Sequence, residues 1–206
     1  MSNDSNTDSV TDIQERNWLA QHLGGDKQAF GKLMQAYRKP VYSYLVRSGF
    51  DKSVRDDLFQ DIFFKIHKAA NSYNKTNRLS PWIFTIAVNT VRNHLRDQKQ
   101  KLTRNHLSLC IDETHELQLV DESPTPDKIV QSKHLMQWLQ KAMSDLPPIQ
   151  CEALNLTIIE GLKLSEAAKI LDMPLSTIKT YVRRARQSLI QSYKTNDSQV
   201  SKRSIS

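Results

Sequence analysis

Apolar residues recur along most of this chain at three- and four-residue spacing, the period of helices buried on one side. A first helix is expected over 13–23, stopped by Gly24-Gly25. Asp26 suits an N-cap, because its carboxylate can accept from the first unpaired amides of a helix. Ala29, Phe30, Leu33, Met34 and Tyr37 then share a face. Pro40 is expected to end that helix or open the next, with Val41, Tyr42, Leu45 and Val46 continuing to Gly49. Asp51 or Ser53 caps a third helix to about Ala70, with Val54, Leu58, Ile62, Ile66 and Ala69 inward. Residues 71–80 have no apolar period and read as a loop. Pro81 fits the first turn of a fourth helix, running to roughly Gln98 with Trp82, Ile86 and Leu95 facing inward.

The pattern lapses from 102 to 132, where Pro124 and Pro126 fall. It resumes near Asp127 with Ile129, Val130, Leu135, Trp138 and Leu139, and breaks at Leu146-Pro147-Pro148. Helices over 149–160, 164–171 and 176–193 follow. The expected fold is all-α: two small helical domains, 13–100 and 128–193, joined by a flexible acidic linker, 101–127. Residues 1–12 and 194–206 are polar and are expected to be flexible tails.

Composition adds little to the fold and more to the partners. The 206 residues are 38% hydrophobic and 25% charged, with a net charge of +7. The excess is blocked. Residues 92–104 hold five Lys/Arg against one Asp, and residues 161–190 hold six against Glu166 and Asp172. Between them, residues 105–127 carry six acids and no Lys or Arg. Two separated basic blocks suit two contacts with one extended polyanion. Cys110 and Cys151 make no metal pattern, and a reduced, cytoplasmic protein is expected. The first 16 residues resemble neither a signal peptide nor an anchor.

The most informative stretch is 164–179, LSEAAKILDMPLSTIK. Ala167 and Ala168 allow a close helix crossing, Asp172-Met173-Pro174 makes a turn, and Ser176 is expected to cap the next helix. Ile178, Val182, Ala185 and Leu189 face inward. Ser176, Thr177, Lys179, Thr180, Arg183, Arg184 and Arg186 face outward. This is the layout of a helix-turn-helix whose second helix meets base edges first and phosphates further along.

These residues support a family resemblance. Residues 146–189 resemble the C-terminal promoter-binding domain of extracytoplasmic-function (ECF) sigma factors. The run DLFQDIFFKI over 57–66 is similar to the family's core-polymerase-binding helix, and WIFTIAVNTVRNHL over 82–95 to its promoter-opening helix. The resemblance implies an RNA polymerase sigma factor that directs promoter recognition, melting and initiation for a stress- or signal-responsive regulon. It implies core-polymerase contacts, to the large-subunit clamp helices and the flap, with Asp57, Gln60, Asp61 and Phe64 on the clamp-facing side. It places the minus-ten element against Asn74, Lys75, Asn77 and Arg78 of the loop and Asn89, Arg92, Asn93 and Arg96 of the fourth helix. Ser176 to Arg186 take the minus-thirty-five element. An anti-sigma factor, often membrane-anchored, is a further expected partner. Leu79-Ser80-Pro81 departs from the aromatic that relatives carry before the Trp.

A stand-alone regulator with the same helix-turn-helix is the main alternative, but it leaves the 57–61 face and the basic fourth helix unexplained. A metal switch on His106, Cys110 and His115 lacks a fourth ligand. No Gly-rich phosphate loop, HExxH or nucleophile–base pair is present. Neither catalysis, a cofactor nor a small-molecule substrate is expected.

Overall fold

The computed structural model describes residues 10–105, 135, 138, 139 and 141–203. Every regular element among them is helical. The linker residues His106, Cys110 and His115 lie outside the described residues. The chain divides into two units, Met1–His115 and Glu116–Ser206.

The first unit contains α1 (Val10–Leu23), α2 (Lys27–Arg47), α3 (Lys52–Ala69) and α4 (Leu79–Asn105). Asp26 caps α2 as its sequence position suggests: Oδ1 accepts from the amides of Gln28 at 2.8 Å and Ala29 at 3.3 Å. Gly25 before it sits at φ 99°, a left-handed conformation that favours glycine. Leu33, Tyr44, Ile62, Ile66, Ile83 and Phe84 are fully buried where α2, α3 and α4 meet. Each contributes about 1.5–3 kcal/mol relative to exposure. The Tyr44 and Phe84 rings meet edge-on, 6.1 Å apart.

Four expectations are corrected in this unit. Helix α1 starts at Val10, and Asp12, expected in a flexible tail, is 7% exposed. Pro40 neither ends nor opens a helix, because α2 runs through it. A proline removes one backbone bond, but buried Tyr37, Val41 and Tyr44 clamp both flanking turns. Helix α4 begins at Leu79 rather than Pro81 and extends to Asn105. Its inward stripe is Leu79, Ile83, Phe84, Ala87, Val88 and Val91, while Trp82 and Ile86 are half-buried and Leu95 is exposed. The run 82–88 is apolar nearly all round, so period alone selects the wrong register.

The second unit contains a helical segment, 141–144, followed by α5 (Pro148–Leu154), α6 (Leu164–Leu171) and α7 (Leu175–Arg203). The α-helix expected over 149–160 widens into a π-turn, Asn155–Ile159. Gly161 then reverses the chain at φ 66°. Helices α5 and α6 both pack on α7, which buries Ile178, Val182 and Ala185. The tail expected from Lys194 is instead a continuation of α7. Just before that point, Trp138 donates from Nε1 to Ser192 Oγ at 3.3 Å and lays its ring 5.2 Å from Tyr193.

Candidate nucleic-acid interface

The helix-turn-helix is built from backbone geometry that the sequence foreshadows. At the start of α6, Glu166 reaches back to accept the Lys163 amide at 2.7 Å, the returning arm of a capping box. At its end, Asp172 adopts φ 54°, ψ 51°, and the Met173 amide donates to Ala168 O at 3.0 Å. Pro174 O, not the Ser176 hydroxyl, starts α7: it accepts from the Thr177 and Ile178 amides at 3.0 and 3.1 Å. Ser176 therefore sits inside the first turn rather than at the cap.

Opposite the buried stripe, Ser176, Lys179, Arg183, Arg184 and Arg186 are exposed. Thr177 and Thr180 are half-buried, and Thr180 Oγ1 donates to Ser176 O at 3.0 Å. Leu164, Lys179, Val182, Arg183, Arg186 and Ile190 line an open groove beside α6. Three cations over an apolar floor make a surface for a phosphate backbone: the charges attract it and the floor holds their stems.

In the first unit, Asn89, Asn93 and Arg96 are exposed and Arg92 half-buried, on the side of α4 facing away from Ala87, Val88 and Val91. The loop before α4 is a folded turn. The Thr76 amide and hydroxyl donate to Asn74 Oδ1 at 3.0 and 2.8 Å, and the Asn77 amide donates to Asn74 O at 3.0 Å. Tyr73 is buried, donates its hydroxyl to Asn77 O, and places its ring 5.2 Å from Trp82. Asn74, Lys75 and Asn77 are exposed.

Arg78 is paired within the fold. Its Nε lies 3.3 and 3.4 Å from the two Asp12 carboxylate oxygens, with 23% of the Arg78 side chain and 10% of the Asp12 side chain exposed. That charge is committed inward. Beside it, burial raises Glu15 above the ordinary carboxyl range, opposed by the 2.6 Å hydrogen bond it accepts from Tyr37. Burial and the same carboxylate hold the Tyr37 phenol well above its usual value. Sequence reasoning missed Asp12, Glu15, Arg16 and Tyr73, the first three because they fall in or beside a segment read as a polar end.

On α3, Asp57, Gln60 and Phe64 are exposed and Asp61 half-exposed, on the face opposite Ile62 and Ile66. Lys68, absent from the expected set, stands 4.2 Å over the Phe64 ring. An aromatic ring that is 55% exposed among carboxylates and an amide suits a helical protein partner.

Comparison with known proteins fits this two-part layout. The sigma-70 region 2 family model matches residues 33–101, and the sigma-70 region 4 model matches residues 136–189. The sigma-E factor of Escherichia coli (strain K12), an ECF RNA polymerase sigma factor, is 28% identical over 166 residues, 80% of this chain and 86% of the relative.

The chain belongs to the ECF group of sigma-70 RNA polymerase sigma factors.

The RNA polymerase sigma-H factor of Pseudomonas aeruginosa is 24% identical to this sigma factor over 185 residues, 87% of this chain and 94% of the relative. The fold of this chain is also that of the sigma factor RpoE of Bartonella quintana, solved with the anti-sigma factor NepR. There the TM-score is 0.67 at 22% identity, covering 80% of this chain and 96% of that one. CnrH, solved with the cytosolic domain of CnrY, gives a TM-score of 0.61 at 20% identity, covering 88% and 98%. Among the described residues, no helix of this sigma factor is long and apolar enough to cross a membrane.

Proposed function

We propose that this sigma factor docks on core RNA polymerase through Asp57, Gln60, Asp61 and Phe64, opens the minus-ten element with the 73–77 turn and α4, and reads the minus-thirty-five element with α7. The observation that carries this reading is that the region 2 unit exposes two chemically different helix faces. One side of α3 offers carboxylates and an exposed aromatic. The α4 side offers amides and guanidinium groups. A protein partner and a polyanion can therefore be held at once.

Asn89 and Asn93 have the amides needed to bind base edges, and Arg92 and Arg96 the charge for phosphate. Extruding a base from its stack costs a few kcal/mol, which such contacts offset without nucleotide hydrolysis. In α7, Lys179, Arg183 and Arg186 hold backbone phosphates while Ser176, Thr177 and Thr180 lie nearest the bases. Arg78 contributes by shaping the turn rather than by touching DNA. The working domains are the unit built on α1 to α4 and the unit built on α5 to α7, joined by the acidic stretch that precedes Asp127. No reaction of its own is assigned, and the setting is cytoplasmic. The surfaces that meet polymerase are also those an anti-sigma factor would cover, and the RpoE relative was solved with an anti-sigma factor.

The test is gel filtration with core polymerase. Co-elution at equal stoichiometry is expected. A chain that binds duplex DNA tightly and elutes apart from core is instead a free-standing regulator.

A further inference from the structure

Helix α1 lies before the residues matched by the region 2 model, yet it touches the turn assigned above to promoter opening. At its N-terminal end Asp12 pairs with Arg78, and one turn later Arg16 Nη1 donates to Lys75 O at 3.2 Å. Arg16 Nε also donates back to Asp12 O at 3.3 Å, so the two ties are themselves joined. At the other end, the His22 Nε2 and His67 Nδ1 atoms are 2.9 Å apart in a hydrogen bond, with the Phe30 ring tilted against His22 at 4.7 Å and edge-on to His67 at 5.4 Å. One end of α1 is thus fixed to α3 and the other to the turn before α4.

A carboxylate as sequestered as that of Asp12 requires a partner, so Asp12 and Arg78 fix each other's positions. Arg78 ends the turn and Lys75 stands at its middle. Holding both from outside, while Tyr73 holds Asn77 from within, leaves few conformations for the segment. The side chains it still presents are those of Asn74, Lys75 and Asn77, all exposed. A turn ordered in advance loses less entropy when it captures a base.

We propose that α1 is a strut that sets the shape of the 73–78 turn, and that Asp12 and Arg16 are positioning residues for promoter opening. They act through Lys75 and Arg78 and touch neither DNA nor polymerase. This rests on the promoter-opening reading above.

The test uses full-length chain bound to core polymerase on a promoter selected by transcription from genomic fragments. 2-Aminopurine in the non-template strand reports opening. Two templates are compared: the intact duplex, and the same sequence opened by mismatches across the minus-ten element. Opening of the duplex should slow by about tenfold in Asp12→Asn, which breaks the part-buried pair with Arg78, and by less in Arg16→Gln, which removes the exposed bond to Lys75 O. Core affinity should hold, the mismatched template should restore most of the rate, and Arg16→Lys should recover part of the duplex rate. Duplex opening at the wild-type rate in both variants overturns the strut. So does a loss that falls equally on core binding, duplex and mismatched template, which marks these residues as supports of the fold alone. If the wild-type chain with core fails to open the duplex, the promoter-opening reading itself falls.

Discussion

Lys65 Nζ lies 2.7 Å from the Asp61 carboxylate one helical turn earlier, and 3.2 Å from the Thr90 hydroxyl of α4. Asp61 is thus held in place yet remains 45% exposed. A pair this open adds little stability, on the order of 0.5 kcal/mol. Its consequence is orientation, since the carboxylate is aimed beside Phe64 on the face assigned to polymerase.

Asp61→Lys therefore tests that face with small risk to the fold. Affinity for core polymerase should fall at least about tenfold through like-charge and packing mismatch, while the thermal unfolding midpoint shifts only slightly. Fluorescence anisotropy with labelled core measures the first and circular dichroism the second. Undiminished affinity places the docking face elsewhere.

The recognition helix makes a separate demand. Lys179→Ala and Arg183→Ala remove exposed charges at the groove beside α6. Each should weaken binding to the upstream promoter element and leave core affinity unchanged. If each contacts a phosphate, each should lower the logarithmic salt slope by about 0.9. Titrations at several salt concentrations decide this. A parallel loss at one base pair, with the slope preserved, would instead assign the residue to base reading.

Glu15 gives a pH signature. Burial raises its folded-state value above the ordinary 4.5. A raised carboxyl contributes stability that is fully present below the unfolded value and is lost as pH rises through the folded value. Glu15→Gln keeps an oxygen to accept from Tyr37 and does not titrate. The stability of this variant relative to wild type should therefore rise as pH increases above the ordinary 4.5. Paired urea melts measure the difference, and a flat or falling trend contradicts the buried carboxyl.

Asp172 ends α6 in a left-handed conformation. Side chains pay for that geometry and glycine does not. Asp172→Gly should leave the urea m-value unchanged and raise the stability of the region 4 unit by up to about 1 kcal/mol. A lower denaturation midpoint would show that the carboxylate makes a compensating contact.

Much of this was legible from residue order. The Asp26 cap, the helix over 164–171 and the outward cations of α7 follow from local rules, where period, cap and turn residues agree. Pro40 misled because a local breaker rule met buried neighbours on both sides. The 82–88 run misled because a stripe that is apolar nearly all round has no unique inward face. The strut was invisible for a different reason. Asp12 and Arg78 are 66 positions apart, and nothing in a polar N-terminal segment announces that one of its carboxylates will be buried against a distant guanidinium.

Two helical units are expected to serve one polymerase at one promoter. The most direct measurement is transcription in vitro from fragmented genomic DNA, with core polymerase and this chain, beside a competent control sigma factor. Discrete new transcripts that need both core and this chain are expected. Silence on every template, while the control factor initiates normally, contradicts the account.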